Sequence, residues 1–401
     1  MSNTPIWDDE PWPALPSVAG ELSAAVCVVG LGGSGLACVG ELLDLGIPPE
    51  QVIGVDAGPV GGAAAGRNGG LLLAGLAWFY HDAIAAIGHE RAREVFARTL
   101  EEIARMERET PDLVRRTGTV RLAWSPEEEA DCARQRDAMR ADGFPVEPYE
   151  GPDGRGLLFP ADGSFLPMRR ARATARALLA RGARLYEGSR AVGFEPGLVL
   201  LAGGARVRAE RIVVAADGRL ERLLPELAGR VRSARLQMLA TAPAEEVRIP
   251  RPVYARWGWD YWQQLDSGAV VLGGGRDVGG EAEWTTSTEP TQPVQSALER
   301  ILRDRLGVRA PVTHRWAASV SFTTTGLPIL DEVRPSLWAV GAYSGTGNVL
   351  GRLAGRAAAQ LATNGTSAIA PVLAAPPDAA ASAYRPRGGH EAVEFPHGHG
   401  G

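Results

Sequence analysis

Along the chain, stretches in which apolar residues run together give way to stretches in which they recur every three or four positions. The continuous run Ala24–Val29 suits a central parallel strand, because a strand covered on both faces needs no polar side. A glycine-rich turn follows at Gly30-Leu31-Gly32-Gly33-Ser34-Gly35. Residues 36–45 have helical spacing and stop at Gly46 and Pro48-Pro49, and Val52–Val55 returns to a strand, which makes a βαβ unit. Residues 90–109 place Val95, Phe96, Leu100, Ile103 and Met106 on one stripe of a charged helix. The pattern then predicts a strand at 118–123, a helix at 126–140, a turn-rich stretch at 143–155 and a helix at 168–181. A strand at 184–187, a hairpin within 192–208 and an apolar strand at 211–215 follow. Between 231 and 275 the alternation is that of antiparallel strands, with Asp266-Ser267-Gly268 turning 260–265 back onto 269–272. A helix at 293–306 and strands near 312–322 complete this second unit. Residues 337–340 and the helix 349–364 return to the first.

Composition narrows the function classes. A length of 401 residues gives room for two or three domains, and 45% hydrophobic with 22% charged residues describes a folded chain. The net charge of -5 supplies no positive field, so no nucleic-acid partner is expected. No run reaches the ~18 apolar residues of a membrane span and the acidic start resembles no secretory signal, so a cytoplasmic location is expected. All 42 basic residues are Arg, which removes every lysine-based chemistry. Cys27, Cys38 and Cys132 form neither a CxxC pair nor a disulfide framework. His81, His89 and His314 are scattered, and His390, His397 and His399 lie near the end in an aperiodic stretch, so no metal site is expected.

The turn at 30–35 carries the clearest chemistry. After a buried strand and before a helix, a GxGxxG turn aims backbone N–H groups and the helix dipole at a pyrophosphate, and the missing side chains permit close approach. Asp56, at the end of the second strand and 21 residues after Gly35, suits the ribose hydroxyls. These residues predict a dinucleotide and leave FAD and NAD open.

A second glycine-rich run, Gly61-Gly62-Ala63-Ala64-Ala65-Gly66-Arg67-Asn68-Gly69-Gly70, resembles the GASGRNGG segment of the FAD-dependent D-amino-acid oxidase superfamily, especially its γ-glutamylputrescine-oxidase-like branch. Gly341-Ala342-Tyr343-Ser344-Gly345-Thr346-Gly347-Asn348 resembles that branch's GYSGHG segment, from which Thr346 and Asn348 depart. Weaker matches at Trp7, Tyr186-Glu187, Tyr261 and Trp316 extend the resemblance over most of residues 1–365. It implies an α/β Rossmann-type FAD-binding domain assembled from 23–110, 160–225 and 325–370. An α+β substrate domain with an antiparallel sheet, 111–159 and 226–324, is inserted between them. Residues 1–22 are expected to form an arm on the surface, and 371–401 a flexible tail.

The same resemblance implies non-covalent FAD. Relatives that attach flavin through Cys do so in the C-terminal half, and no Cys follows Cys132. Gly30, Gly32, Gly33, Ser34, Gly35, Asp56, Ala57 and Gly218 would serve the dinucleotide, and the Val192 backbone the adenine, although Val192 also reads as an ordinary strand residue. Gly66, Arg67, Asn68, Gly69 and Gly70, with Gly345, Thr346, Gly347, Asn348 and Val349, would approach the flavin ring. The superfamily oxidises C–N bonds by hydride transfer, which demands aim more than acid–base machinery. The aromatic cluster Tyr254, Trp257, Trp259, Tyr261 and Trp262 reads either as the substrate wall or as core packing. Tyr261, Trp316, Arg276 and Arg256 are the candidate catalytic residues, the two arginines as carboxylate anchors. Glycine-oxidase-like relatives carry arginines in segments resembling WAGLRPGT and GHFRNG, where this chain has Val320 and Ser344. The expected substrate is therefore an amine lacking an α-carboxylate, with an amino acid as the alternative and a flavin-binding protein without turnover as a third. Oxygen, or a quinone or dye, would accept the electrons.

Overall fold

The computed structural model describes residues 3–374. Its organising element is the strand Glu21–Val29, flanked in parallel by Val52–Val55 on one side and Arg206–Val214 on the other. Arg184–Tyr186 adds beyond 52–55, and Leu337–Gly341 pairs in parallel with the end of 206–214. The antiparallel strands Leu198–Leu201, Ala191–Glu195 and Ile329–Arg334 extend the sheet to eight. Because strand side chains alternate, Val26 and Val28 face the helices Gly33–Asp44, Pro167–Ala180 and Leu350–Asn364. Cys27 and Val29 face a second apolar layer with Phe194, Leu220 and Leu224. The long helix His89–Glu109 joins the first side through a buried ionic network in which Glu102 accepts from both Arg352 and Arg356.

A second eight-stranded sheet runs in the order 312–323, 231–243, 269–274, 260–264, 253–255, 119–123, 154–159, 147–151. It is antiparallel except where 253–255 lies parallel to 119–123. The Asp266-Ser267-Gly268 turn stands as predicted, with Gly268 in the left-handed region (φ 83°).

Three expectations change. The stretch 143–155 contains the strand Glu147–Gly151, hairpinned onto Gly154–Phe159; as an edge strand with mostly exposed residues it shows no hydrophobic period. The N-terminal arm is anchored at one point: residues 8–17 stay at least partly exposed, but Trp7 is 1% exposed, donates from Nε1 to the Gly66 carbonyl (2.7 Å) and meets Trp316 edge-on (5.5 Å). Its indole finds both an apolar bed and an acceptor, which an extended surface arm would lack. Residues 370–373 form a short helix with Leu373 fully buried, so order reaches past the expected start of the tail. His390, His397 and His399 lie outside the described residues.

Candidate active site

A cavity of about 810 Å³ runs between the two sheets. At one end lie Gly30, Gly32, Gly33, Ser34, Asp56 and Ala57. Gly30 has φ 103°, and a Cβ there would stand 2.5 Å from the Ala215 carbonyl oxygen; at Gly35 a Cβ would collide with the Gly30 carbonyl. The turn can therefore be built only of glycine at these two points, which brings the N-terminus of helix 33–44 to the cavity. No side chain caps that helix, so its first-turn N–H groups are left for a ligand. Asp56 accepts from Leu31 N (2.7 Å) and Gly58 N (2.9 Å); burial raises its pKa and those two donors partly offset the rise. Ser34 shares a 2.5 Å hydrogen bond with Tyr343, which ties the first turn to the C-terminal segment.

Two segments meet at mid-cavity. Arg67, Asn68 and Gly69 line it from one side, and Gly345, Thr346, Gly347, Asn348 and Val349 from the other. Asn348 donates to Asn68 Oδ1 (3.1 Å) and to the Leu71 carbonyl (2.9 Å), so the residue that departs from the family pattern stitches the segments together. Ala342 and Ser344 have φ of 56° and 51°, conformations unfavourable for residues with a Cβ. They are held by Asp217, whose Oδ1 accepts from Ala342 N (2.6 Å), and by the Ser344 N–H to the Ser321 carbonyl (3.1 Å). Burial pushes the Asp217 carboxyl up to about 6. Arg67 reaches across to the carbonyls of Ala317 and Asn3 (2.8 Å each), so the arm fastens this part of the wall. Gly218 also lines the cavity.

The far end is aromatic. Tyr261 lies between Gly69 and Gly273, where a Cβ would be 2.7 and 2.5 Å from its ring; the two glycines leave it room to lie across the sheet. Burial keeps its phenol protonated. Tyr254, Trp257 and Trp259 line the cavity with it, whereas Trp262 points to the opposite face of the strand and stacks on Trp124 (5.7 Å). Arg276 lines the cavity within a cage of Trp259, Trp284 and Phe322, 4.6, 4.8 and 5.0 Å from its guanidinium carbon.

Several candidates sit elsewhere. Trp316 is fully buried outside the cavity, with its Nε1 donating to the Arg67 carbonyl (2.8 Å): it supports the wall rather than forming it. Arg256 is consumed by Asp260 and Asp277 in a turn whose residues 256 and 257 have positive φ, and it does not line the cavity. Val192 is 60% exposed; its neighbours Arg190 and Ala191 reach the cavity instead. Gly35, Gly66 and Gly70 lie behind the lining, where they permit close packing. Sequence reading missed Arg121, Gln135 and Asp162, all of them on the cavity wall. The one available signal was a charged residue at a core position of the strand Thr119–Ala123. Asp162 accepts from Thr119 Oγ1 (2.8 Å) and Ala74 N (3.1 Å), and burial pushes its carboxyl up to about 7.

The family described as FAD dependent oxidoreductase, or DAO, matches residues 25–361. The chain belongs to this family. As an FAD-dependent oxidoreductase it uses FAD as its cofactor, and the glycine cradle with its uncapped helix fits that group. It is 25% identical over 384 residues to a probable oxidoreductase, OrdL, of Rhizobium meliloti, covering 87% of this chain and 85% of that protein. A γ-glutamylputrescine oxidoreductase of Escherichia coli is also 25% identical, over 369 residues, 85% of this chain and 84% of that one. The fold is shared with L-proline dehydrogenase from P. horikoshii (TM-score 0.73, 18% identity, 88% of this chain and 96% of that one). Glycine oxidase from Geobacillus kaustophilus shares it as well (TM-score 0.70, 21% identity, 88% and 98%). Among the described residues no group of three or more His, Cys, Asp or Glu is placed to hold a metal, and no helix is long and apolar enough to cross a membrane.

Proposed function

We propose that this oxidoreductase converts the C–N single bond of an amine to an imine. The observation that carries the reading is one continuous cavity running from the dinucleotide turn, past the joined 67–69 and 345–349 segments, to the Tyr261 wall. Gly30, Gly32, Gly33, Ser34 and Asp56 would hold the pyrophosphate and ribose, and Ala57, Gly218 and Ala191 would line the nucleotide. Residues 67–69 and 345–349 would lie along the flavin ring. When bound, FAD supplies the two-electron acceptor for a hydride from the carbon bearing nitrogen. The chain's own work is to exclude water and aim that carbon, which the rings of Tyr254, Trp259 and Tyr261 do by shape.

Val320 and Ser344, at the positions where amino-acid-oxidising relatives carry arginine, both line the cavity and offer no cation to an α-carboxylate. An amine lacking that group is therefore the preferred substrate. Arg276 on the cavity wall favours the second reading, an amino acid held at its carboxylate. Anaerobic mixing with a panel of amines and amino acids, read as flavin bleaching and followed by readmission of air, tests both. Faster bleaching by amines than by their α-carboxylated counterparts is expected. A free amino acid or glycine that matches its decarboxylated amine overturns the preference. Prompt reoxidation in air with peroxide formed is expected of an oxidase; fast transfer only to a quinone or dye makes the protein a dehydrogenase.

A further inference from the structure

Sheet register places three cavity residues in one row. Arg121 pairs with Tyr254 across neighbouring strands, and Tyr254 with Tyr261 across the next, all three facing the cavity. At ~4.8 Å per strand, Arg121 stands about 10 Å along the sheet from Tyr261.

Arg121 is 8% exposed and ringed by Phe79, Tyr254 and Phe159, 3.9, 4.8 and 6.0 Å from its guanidinium carbon. Its Nη1 donates to Gln135 Oε1 (2.7 Å), and its Nε is buried with no hydrogen-bond partner among the described residues. The rings answer the charge of the guanidinium and the Tyr254 hydroxyl also interacts with it, but the in-plane Nε–H stays unsatisfied. The buried carboxyls of this region feel the Arg121 charge, which works against the burial that raises Glu128 and Asp162, yet their hydrogen bonds go to other groups. Glu128 accepts from Trp124 N and Trp257 N (2.8 and 2.7 Å), and Asp162 from Thr119 and Ala74. No ion pair within 4.0 Å joins any carboxylate of the described residues to Arg121. A buried cation that faces the cavity, with its carboxylates beyond ion-pair distance and one N–H unanswered, can take up an anionic group that enters.

The geometry points to Arg121, with Gln135 beside it, as the anchor for a carboxylate that the substrate carries several bonds away from the oxidised carbon. This rests on the amine-oxidation reading, which puts the reacting end at Tyr261 and Gly69. The planar fork of Arg suits a carboxylate, and the rings of Tyr254 and Tyr261 bed the spacer between the two ends. An α-carboxylate seated at Arg121 would hold its own amine carbon two strands from Tyr261. The substrate class is thus an amine with a remote acid, as in ω-amino acids.

The test uses the holoenzyme and two matched series, ω-amino acids from aminobutanoate to aminooctanoate and alkylamines from butylamine to octylamine. Adipate serves as an unreactive competitor. At the best spacer length the acid should lower KM on the order of ten- to a hundredfold relative to its alkylamine, as for a charge-assisted hydrogen bond. Arg121→Gln should erase that difference through KM with little change in kcat, Arg121→Lys should restore part of it, and quenching of tryptophan fluorescence by adipate should disappear in Arg121→Gln. Equal KM values for the two series in the wild-type enzyme overturn the inference, as does an undiminished difference in Arg121→Gln. Should Arg121→Gln fail to retain flavin, the wild-type series and its inhibition by adipate decide. If alkylamines reduce the flavin without any preference for the acids, only the anchor is wrong; if neither series does, amine oxidation itself fails and the anchor with it.

Discussion

At the scale of single residues, two predictions separate packing from charge. Gly35→Val places a Cβ against the Gly30 carbonyl, a backbone atom that cannot turn aside, so the purified variant should lose most of its flavin absorbance. At Gly33 nothing stands within 4 Å of an added Cβ, so Gly33→Ala should keep a larger share of flavin; full occupancy in Gly35→Val would show the turn to be misplaced. Asp162 tests charge. Its folded-state pKa of about 7 lies above the ordinary 3.8, so the native protein keeps a proton that the unfolded chain releases. That contribution to stability is complete below the unfolded pKa and is lost as pH rises through about 7. Asp217, pushed up to about 6, acts in the same direction. Asp162→Asn keeps an acceptor for Ala74 N, reverses the Thr119 contact so that Nδ2 donates to the hydroxyl oxygen, and carries no titrating proton. Its urea midpoint should fall less than that of the wild type between about pH 4 and 7, and parallel profiles would refute the assignment.

At the scale of elements, the arm shows how a remote segment governs a site. Trp7 lies on Trp316 and donates to Gly66, while Asn3 receives Arg67, so residues 3–7 brace the 66–70 segment from behind. Trp7→Ala should cost about 3–5 kcal/mol, as for other buried aromatics. Trp7→Phe keeps a smaller ring in the same bed and loses the Gly66 bond, and should cost less, about 1–3 kcal/mol. Thermal melts give these figures, and flavin release on dilution should accelerate in the same order; a Trp7→Ala protein as stable as wild type would mean the arm is only apposed. The same element marks what sequence could convey. The strand at 24–29, its turn and Asp56 were legible because local backbone demands glycine and apolar residues at fixed positions. The burial of Trp7 within the arm was not legible because it depends on Trp316, more than three hundred residues away. Arg121 was invisible as a site residue because only the pairing of 119–123 with 253–255 brings it beside Tyr254. Trp316 and Arg256 looked eligible by residue type, yet a backbone carbonyl and two aspartates claim their polar groups.

At the scale of the whole molecule, the cavity takes its walls from both sheets, so cofactor retention and folding are one equilibrium. No Cys or His among the described residues lines it. Burial raises all three thiols, Cys27 to about 12 and Cys132 to about 11, with Cys38 higher still, which leaves no thiolate to bond a flavin carbon. FAD should therefore be held by packing and hydrogen bonds alone. Acid precipitation should release all the yellow colour to the supernatant, and colour retained in the pellet would establish a covalent link instead. Because the native state alone presents this cavity, free FAD added to protein stripped of flavin should raise its melting temperature as the logarithm of concentration, by about 2.7 kcal/mol of stability at a hundredfold excess over Kd. If both sheets close on the cofactor, the tryptophan fluorescence of the protein, to which Trp257 and Trp259 in the turn between strands 253–255 and 260–264 contribute, should change together with flavin release. Two separated transitions would mean that one wall unfolds while the other still holds FAD, and that the sheets are coupled less tightly than a shared cavity requires.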